Sequence, residues 1–316
     1  MKNKVLVCGG TGFIGKNIII NLLKNKKNLI YATYFKSRPF IKSKNIIWVK
    51  TDLRKIGNVK KIMTNYKFVY QCAAFTAGVK EMKENPYSFI SDNLIMNNYI
   101  MQQASLSGVS HLFFFSCTVM YHHSKKKLSE KDYNPNAKIH PVYFGISKLK
   151  VYIESLCDFY SRNSKTKFTA LRHSNIYGPH DKFFNSKSHF MAAMISKSIL
   201  AKKNDVIDIW GDGSEKRDFL HVDDLISAIN LIKIKQRKNF DVFNVCYGDQ
   251  FSIKNIIDKM IKLNVIVNKV IYLKDKPTIK VDILLNSRKL NKLTGWKPKI
   301  FLDKGILSTQ NWAKNN

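Results

Sequence analysis

The chain has 316 residues, 45% of them hydrophobic, which supplies a packed core and excludes a disordered protein. Its net charge of +32 comes from lysines scattered in short runs among abundant Asn and Ile, with no zinc-finger, helix-turn-helix or RNA-binding signature, so a nucleic-acid partner is not expected. No stretch reaches the roughly 18 uninterrupted apolar residues of a membrane span, and five dispersed cysteines argue against a disulfide framework or a zinc site.

Residues 4–7 read as a buried strand and residues 16–24 as a helix with apolar side chains at helical spacing. Such a start, straight into a strand, speaks against a cleaved signal peptide, and a cytoplasmic protein is expected. Between strand and helix lies Gly9-Gly10-Thr11-Gly12-Phe13-Ile14-Gly15. Strand, glycine loop and helix in this order form the context that a dinucleotide fingerprint needs. The glycines allow a tight turn and let a diphosphate approach the helix N-terminus, where free N–H groups and the helix dipole favour negative charge.

Residues 29–34 read as the second strand. An NAD-binding protein ends that strand with an acid that accepts from the ribose 2′-hydroxyl. Eighteen residues past Gly15 stands Thr33, with no acid nearby, and Lys36 and Arg38 follow instead. Two cations suit a 2′-phosphate, so NADP is the expected cofactor and NAD the alternative. After a strand at 46–49, Asp52-Leu53 looks like a turn that cups adenine. After a strand at 68–70, Ala73-Ala74 reads either as a small-residue strand end beneath the cofactor or as tight packing.

Three later segments carry a resemblance. The first is Asn175-Ile176-Tyr177-Gly178-Pro179-His180-Asp181-Lys182-Phe183, continuing through Asn185 to His189. The second runs from Trp210-Gly211-Asp212-Gly213 through Arg217-Asp218-Phe219-Leu220-His221 to Asp223-Asp224. The third is Leu293-Thr294-Gly295-Trp296-Lys297-Pro298 with the helix-like tail to Trp312. Together with Ala73-Ala74 and Asp92-Asn93-Leu94, these resemble the GDP-L-fucose synthases. That family consists of NADP-dependent epimerase/reductases of the extended short-chain dehydrogenase/reductase superfamily, within the NAD(P)-dependent epimerase/dehydratase family.

The resemblance implies that His189 is a general acid that protonates a sugar carbanion, a role that suits an imidazole titrating near neutrality. It implies that Lys197, Trp210 and Arg217 grip the nucleotide diphosphate and base, with Lys280 the nearest candidate for a further cation. It also implies that His173, Asn175 and Ile176 pass beneath the nicotinamide.

The pattern breaks at the catalytic pair. After the strand at 112–115, the position four before Tyr121 holds Cys117, and the position two before holds Val119. Cys117 acts as a base if its pKa is lowered, and is otherwise an inert buried thiol. In the next helix no tyrosine precedes a lysine by four: the pairs are Tyr143 with Ser147, Phe144 with Lys148 and Ile146 with Lys150. The family spacing to Glu154 and Tyr160 selects Lys150 as the cofactor lysine, opposite Ile146. Tyr143 lies seven residues before Lys150, about 10 Å along a regular helix. An irregular first turn, or a break at Gly145, would be needed for it to serve.

The expected fold is α/β: a Rossmann-type, doubly wound parallel sheet with a smaller C-terminal α/β substrate lobe. Residues 1–170 form the NADP-binding domain, with return segments near 215–245, and residues 171–316 form mainly the nucleotide-sugar lobe. The helices at 88–108 and 148–163 are the family's pair for a homodimer. Three functions stay open: a nucleotide-sugar epimerase/4-keto reductase acting on a GDP-linked sugar in surface-polysaccharide precursor synthesis, an epimerase without net redox, and a non-catalytic nucleotide-sugar or NADP-binding protein.

Overall fold

The computed structural model describes residues 2–75, 86–185, 188–276 and 278–316. The chain opens with β1 (Asn3–Cys8), α1 (Phe13–Leu23), β2 (Asn28–Tyr34), β3 (Ile46–Lys50), α2 (Ile56–Ile62), β4 (Phe68–Gln71), α3 (Pro86–Leu106) and β5 (His111–Phe115). It continues with β6 (Ser124–Leu128), α4 (Phe144–Arg162), β7 (Lys167–His173), β8 (Asn175–Tyr177) and α5 (Phe190–Leu200). Then come β9 (Val206–Trp210), β10 (Lys216–Arg217), β11 (Phe219–His221), α6 (Val222–Lys235) and β12 (Phe240–Val245). The remaining elements are β13 (Phe251–Ser252), α7 (Ile253–Lys262), β14 (Lys269–Leu273), β15 (Ile283–Leu285), α8 (Arg288–Thr294) and α9 (Leu302–Lys314). Among the described residues, no helix is long and apolar enough to cross a membrane.

The chain divides into two compact units, one of residues 1–120, 138–172 and 229–243, the other of residues 121–137, 173–228 and 244–316. The first unit is built on a seven-stranded sheet of order β3-β2-β1-β4-β5-β7-β12. Its strands are parallel from β3 through β7. This is the doubly wound Rossmann-type sheet that the sequence pattern predicts. The strand order reverses at β1, the place where such sheets bind ligands at their carboxyl ends. Val5 to Cys8 are fully buried, as expected of a strand covered on both faces. Leu6, Val69, Leu112, Phe114, Met101 and Ile153 share one core that seats α3 and α4 on the sheet. Helix α1 begins at Phe13, three residues earlier than apolar spacing alone suggests, because Gly12 in extended backbone (φ −80°, ψ 168°) forms its N-cap.

Buried inside this sheet is His111, whose Nε2 lies 2.7 Å from Thr169 Oγ1. Burial, with help from Lys167 and Lys233, pulls its imidazole down to about 3. The folded state therefore refuses a proton that the unfolded chain takes up below about pH 6.5. Stability from this group is complete above pH 6.5 and is lost progressively as pH falls toward 3. Between pH 7.5 and 5 the loss expected from His111 is about 2 kcal/mol. Denaturant melts of wild type and His111→Gln at both pH values test it: the variant should lack that share of the acid sensitivity.

In the second unit, β9 pairs with β14 and β8 with β11, both parallel, while β10 and β13 are antiparallel. Met194, Ile209, Phe219, Ile256, Met260 and Ile306 belong to its core. Several residues of the recognisable sequence segments turn out to be scaffold here. The buried Asp224 carboxylate accepts from the Lys299 and Ile300 N–H groups at 3.0 and 2.9 Å. The Trp296 indole donates to Ser227 Oγ at 2.8 Å. Asp218 accepts from the Tyr247 and Gly248 N–H groups at 2.9 and 2.7 Å.

Candidate active site

In the first unit the glycine loop is held by β2. Gly9 sits in the left-handed region (φ 73°) and donates its N–H to Thr33 Oγ1 at 2.9 Å. Gly10 donates to the Thr33 carbonyl at 2.8 Å. Thr33 is itself buried. The position scanned for a ribose-binding acid is thus a loop anchor, a role visible only once β1 and β2 are paired.

The loop has no room for side chains. A Cβ on Gly15 would stand 2.3 Å from the Gly9 carbonyl oxygen, and one on Gly9 would stand 2.6 Å from Ala73 Cα. This backbone cradle at the start of α1 fits a dinucleotide diphosphate. Thr11 and Ile14 are half-buried and Phe13 is buried at its rim. Lys36 and Arg38, past the end of β2, are both exposed.

At the ends of β3 and β4 the sequence anticipates less. Asp52 is ion-paired with Arg54 at 2.8 Å, and Arg54 also reaches Asp92 of α3 at 2.9 Å. The Arg54 guanidinium beside it holds the Asp52 carboxyl below the usual carboxylate range. Arg54 further lies over the rings of Phe35 and Phe75, 5.6 and 5.0 Å from their centroids. Leu53 points into the core. Ala73 is half-buried and Ala74 exposed. Their segment is clamped by α3: Gln71 Nε2 donates to the Ala73 carbonyl at 3.1 Å and to Asn97 Oδ1 at 3.0 Å. Asn93 Oδ1 accepts from the Phe75 N–H at 3.1 Å, and Asn93 Nδ2 returns a bond to the Phe75 carbonyl at 3.0 Å.

The end of β5 meets α4. The chain enters α4 through a tight turn of 3-10 helix at Pro141–Tyr143, so Tyr143 precedes the regular helix and lies half-buried with its ring 5.9 Å from that of His140. Gly145 is inside α4 and does not break it; the irregularity falls at Pro141, a residue suited to a first helical turn. Ile146 packs against the core. Lys148 is exposed, whereas Lys150 turns inward and donates from Nζ to the Phe115 carbonyl at 2.7 Å, above the Phe114 ring. Burial pulls the Lys150 ammonium below its usual range, with Cys117 and Glu154 opposing.

Burial likewise pushes the Cys117 thiol up, and the nearby Lys150 charge offsets only part of this. A thiol so raised favours its protonated form at neutral pH, the direction of the inert alternative for Cys117. Beneath this corner lies a network that the sequence did not reveal. Glu154, four residues past Lys150, accepts from Ser116 Oγ at 2.6 Å and pairs with Arg172 at 2.6 Å, all three buried. It ties the turn after β5 to the lysine-bearing helix.

In the second unit, His189 is the N-cap residue of α5, with φ −68° and ψ 160°. Its Nδ1 lies 3.3 Å from Asp181 Oδ1. The three cations expected to grip a nucleotide each hold an acid. Lys197 Nζ contacts Asp208 at 2.6 Å, Arg217 contacts Glu215 at 3.2 Å and Lys280 contacts Asp212 at 2.7 Å. Trp210 stands exposed two residues beyond Asp208 on β9. The Lys197 ammonium, with the Trp210 indole contributing, keeps the Asp208 carboxyl low. Lys197, Asp208 and Trp210 are thereby brought together; Arg217 sits on β10 and Lys280 returns to the turn after β9 through Asp212.

Asn175 donates from its backbone N–H and its Nδ2 to the Asp218 carbonyl, both at 3.0 Å. Ile176 is buried in the β8–β11 pair, and the His173 ring lies 2.9 Å from the Ser174 carbonyl.

A profile of the NAD dependent epimerase/dehydratase family matches residues 5–246. The chain is similar to a GDP-L-fucose synthase of Sinorhizobium fredii, 26% identical, with 96% of this chain and 93% of that one covered. It is also similar to a UDP-N-acetyl-alpha-D-glucosaminuronate decarboxylase of Bacillus cytotoxicus, 24% identical over 99% of this chain and 98% of that one. The solved structure of UDP-glucuronic acid 4-epimerase from Bacillus cereus, in complex with UDP-glucuronic acid and NAD, shares the fold with a TM-score of 0.83. It is 21% identical, and 99% of each chain is covered.

Proposed function

Because this chain belongs to the NAD dependent epimerase/dehydratase family, we propose that it is a nucleotide-sugar enzyme that epimerises a GDP-linked 4-keto-6-deoxy sugar and reduces it with NADP(H), supplying precursors of surface polysaccharide. The observation that carries this reading is His189, an exposed imidazole set on a buried carboxylate. It stands in the same unit as Lys197, which would exchange Asp208 for a nucleotide's diphosphate, and as the exposed Trp210, whose aromatic face suits a base.

The bound nicotinamide would supply the hydride. Around it Lys150 would hold the ribose, and Cys117 would offer a proton-bearing thiol. Exposed Lys36 and Arg38 favour NADP, since a 2′-phosphate would find two cations and no acid. Replacing both by alanine should weaken NADPH binding by roughly 10- to 100-fold, the worth of one or two charged hydrogen bonds, and leave NADH unchanged. Fluorescence titration with each cofactor measures it; equal losses would point to a general loop defect.

Ile146 in the place of the usual tyrosine supports a second reading, epimerisation without net reduction. The deciding assay mixes protein, NADPH and a GDP-4-keto-6-deoxy sugar and follows nicotinamide absorbance and solvent-deuterium uptake together. Oxidation with uptake is expected. Uptake alone would leave the epimerase, and binding with neither would leave a non-catalytic protein.

We also propose a homodimer through α3 and α4, which pack together and leave Ile95, Tyr152 and Phe159 exposed. Light scattering decides: a monomer at micromolar concentration would remove this assembly.

A further inference from the structure

We propose that Asp181 is the positioning residue of His189. It fixes the ring in the tautomer that carries hydrogen on Nδ1, so that the proton exchanged with a bound sugar is always the one on Nε2. The proposal rests on the reading of His189 as general acid.

The Asp181 side chain is 1% exposed, while that of His189 is 60% exposed. Asp181 Oδ1 accepts from the Lys182 N–H at 2.7 Å and faces His189 Nδ1 at 3.3 Å. Among the described residues, Oδ2 is buried with no hydrogen-bond partner. A carboxylate offers only acceptor sites, so the ring nitrogen facing it must be the one that carries hydrogen. The Lys182 N–H and His189 Nδ1 thus converge on one oxygen, Oδ1, of a carboxylate whose burial is itself a cost to the fold.

The carboxylate is also held in place. His180, immediately before it, is in the left-handed region (φ 67°) with its ring 4.4 Å from that of Trp312. Three residues after it, the Phe184 N–H donates to the buried Ser196 Oγ at 2.9 Å. The exposed imidazole is therefore the mobile partner and Asp181 the fixed one.

The proton step balances on this geometry. In the imidazolium both nitrogens carry hydrogen. The Nε2–H bond breaks and leaves its electron pair on Nε2, while an electron pair of the sugar enolate forms the new C–H bond. What remains is the neutral ring with hydrogen on Nδ1, the form that Asp181 accepts from. Without Asp181 the ring turns freely, and its neutral form takes the Nε2–H arrangement common for histidine in water.

Nitrogen NMR of protein labelled with 15N-histidine tests the proposal above the imidazole titration range. The chain has eight histidines, and His189→Gln assigns the signal by its disappearance. Wild type should show His189 with hydrogen on Nδ1, and Asp181→Asn should shift it toward Nε2. A wild-type ring with hydrogen on Nε2 overturns the proposal, and that measurement needs no variant at Asp181. So does an unchanged tautomer in folded Asp181→Asn.

Deuterium uptake by a GDP-4-keto-6-deoxy sugar should fall roughly 10- to 100-fold in Asp181→Asn, below the full range for a lost general acid. If His189→Gln exchanges as fast as wild type, the general-acid reading fails and Asp181 loses its function with it. The tautomer result then still reports separately whether the contact exists.

Discussion

Replacing Glu154 by alanine is expected to cost about 3–5 kcal/mol of folding stability, the usual consequence of stripping a buried ion pair of one partner. Glu154 and Arg172 are each 5% exposed. The Glu154 carboxylate takes two bonds from Arg172 Nε at 3.1 Å, one from Nη2 at 2.6 Å and one from Ser116 Oγ at 2.6 Å. Alanine takes the carboxylate away from a guanidinium that lies in a low-dielectric interior. Glu154→Gln keeps the volume and an acceptor oxygen and should lose less.

The damage should reach the site, because the same carboxylate secures Ser116, next to Cys117, against the helix that carries Lys150. Guanidinium melts give the stability and NADPH titration the site. A Glu154→Ala protein within about 0.5 kcal/mol of wild type, the range of ordinary surface changes, would contradict the account. Removing both charges together, as in Glu154→Leu with Arg172→Met, should be far better tolerated, since the cost lies mostly in the orphaned partner.

Gly15→Ala is expected to abolish dinucleotide binding, at least about 100-fold in affinity, when a 1 kcal/mol change is already fivefold. The added carbon would lie 2.3 Å from the Gly9 carbonyl oxygen and 3.1 Å from Gly10 Cα. Both obstacles are backbone, so relief requires moving the loop or the start of α1. Either shift carries the N-terminal N–H groups of α1 away from the loop that should hold the diphosphate.

Gly57, in α2, provides the control. A Cβ there meets nothing within 4 Å, so Gly57→Ala should bind cofactor normally and gain up to about 1 kcal/mol in helix propensity. Titration with NADPH and NADH reads both variants. Undiminished binding by Gly15→Ala would mean that the diphosphate is held elsewhere.

What could be read from the chain alone was whatever is decided over short distances. Apolar runs at 4–7 and 112–115 announce buried parallel strands because a strand covered on both faces cannot alternate with polar residues. Gly9, Gly12 and Gly15 announce the phosphate loop because backbone clearance is a local demand. The entry into α4 was only half legible: the sequence offered an irregular first turn or a break at Gly145, and the structure puts the irregularity at Pro141.

Partners separated in sequence were not legible. Thr33 serves the loop only because β2 pairs with β1. Lys280 meets Asp212 across 68 residues, and Glu154 meets Arg172 across 18. The residue types were there to be read, a cationic and aromatic set with His189 in the expected segment. Tertiary structure decided which charges neutralise one another and which stay available, because a charge leaves water only where the fold brings it an opposite one, and no local pattern encodes that meeting.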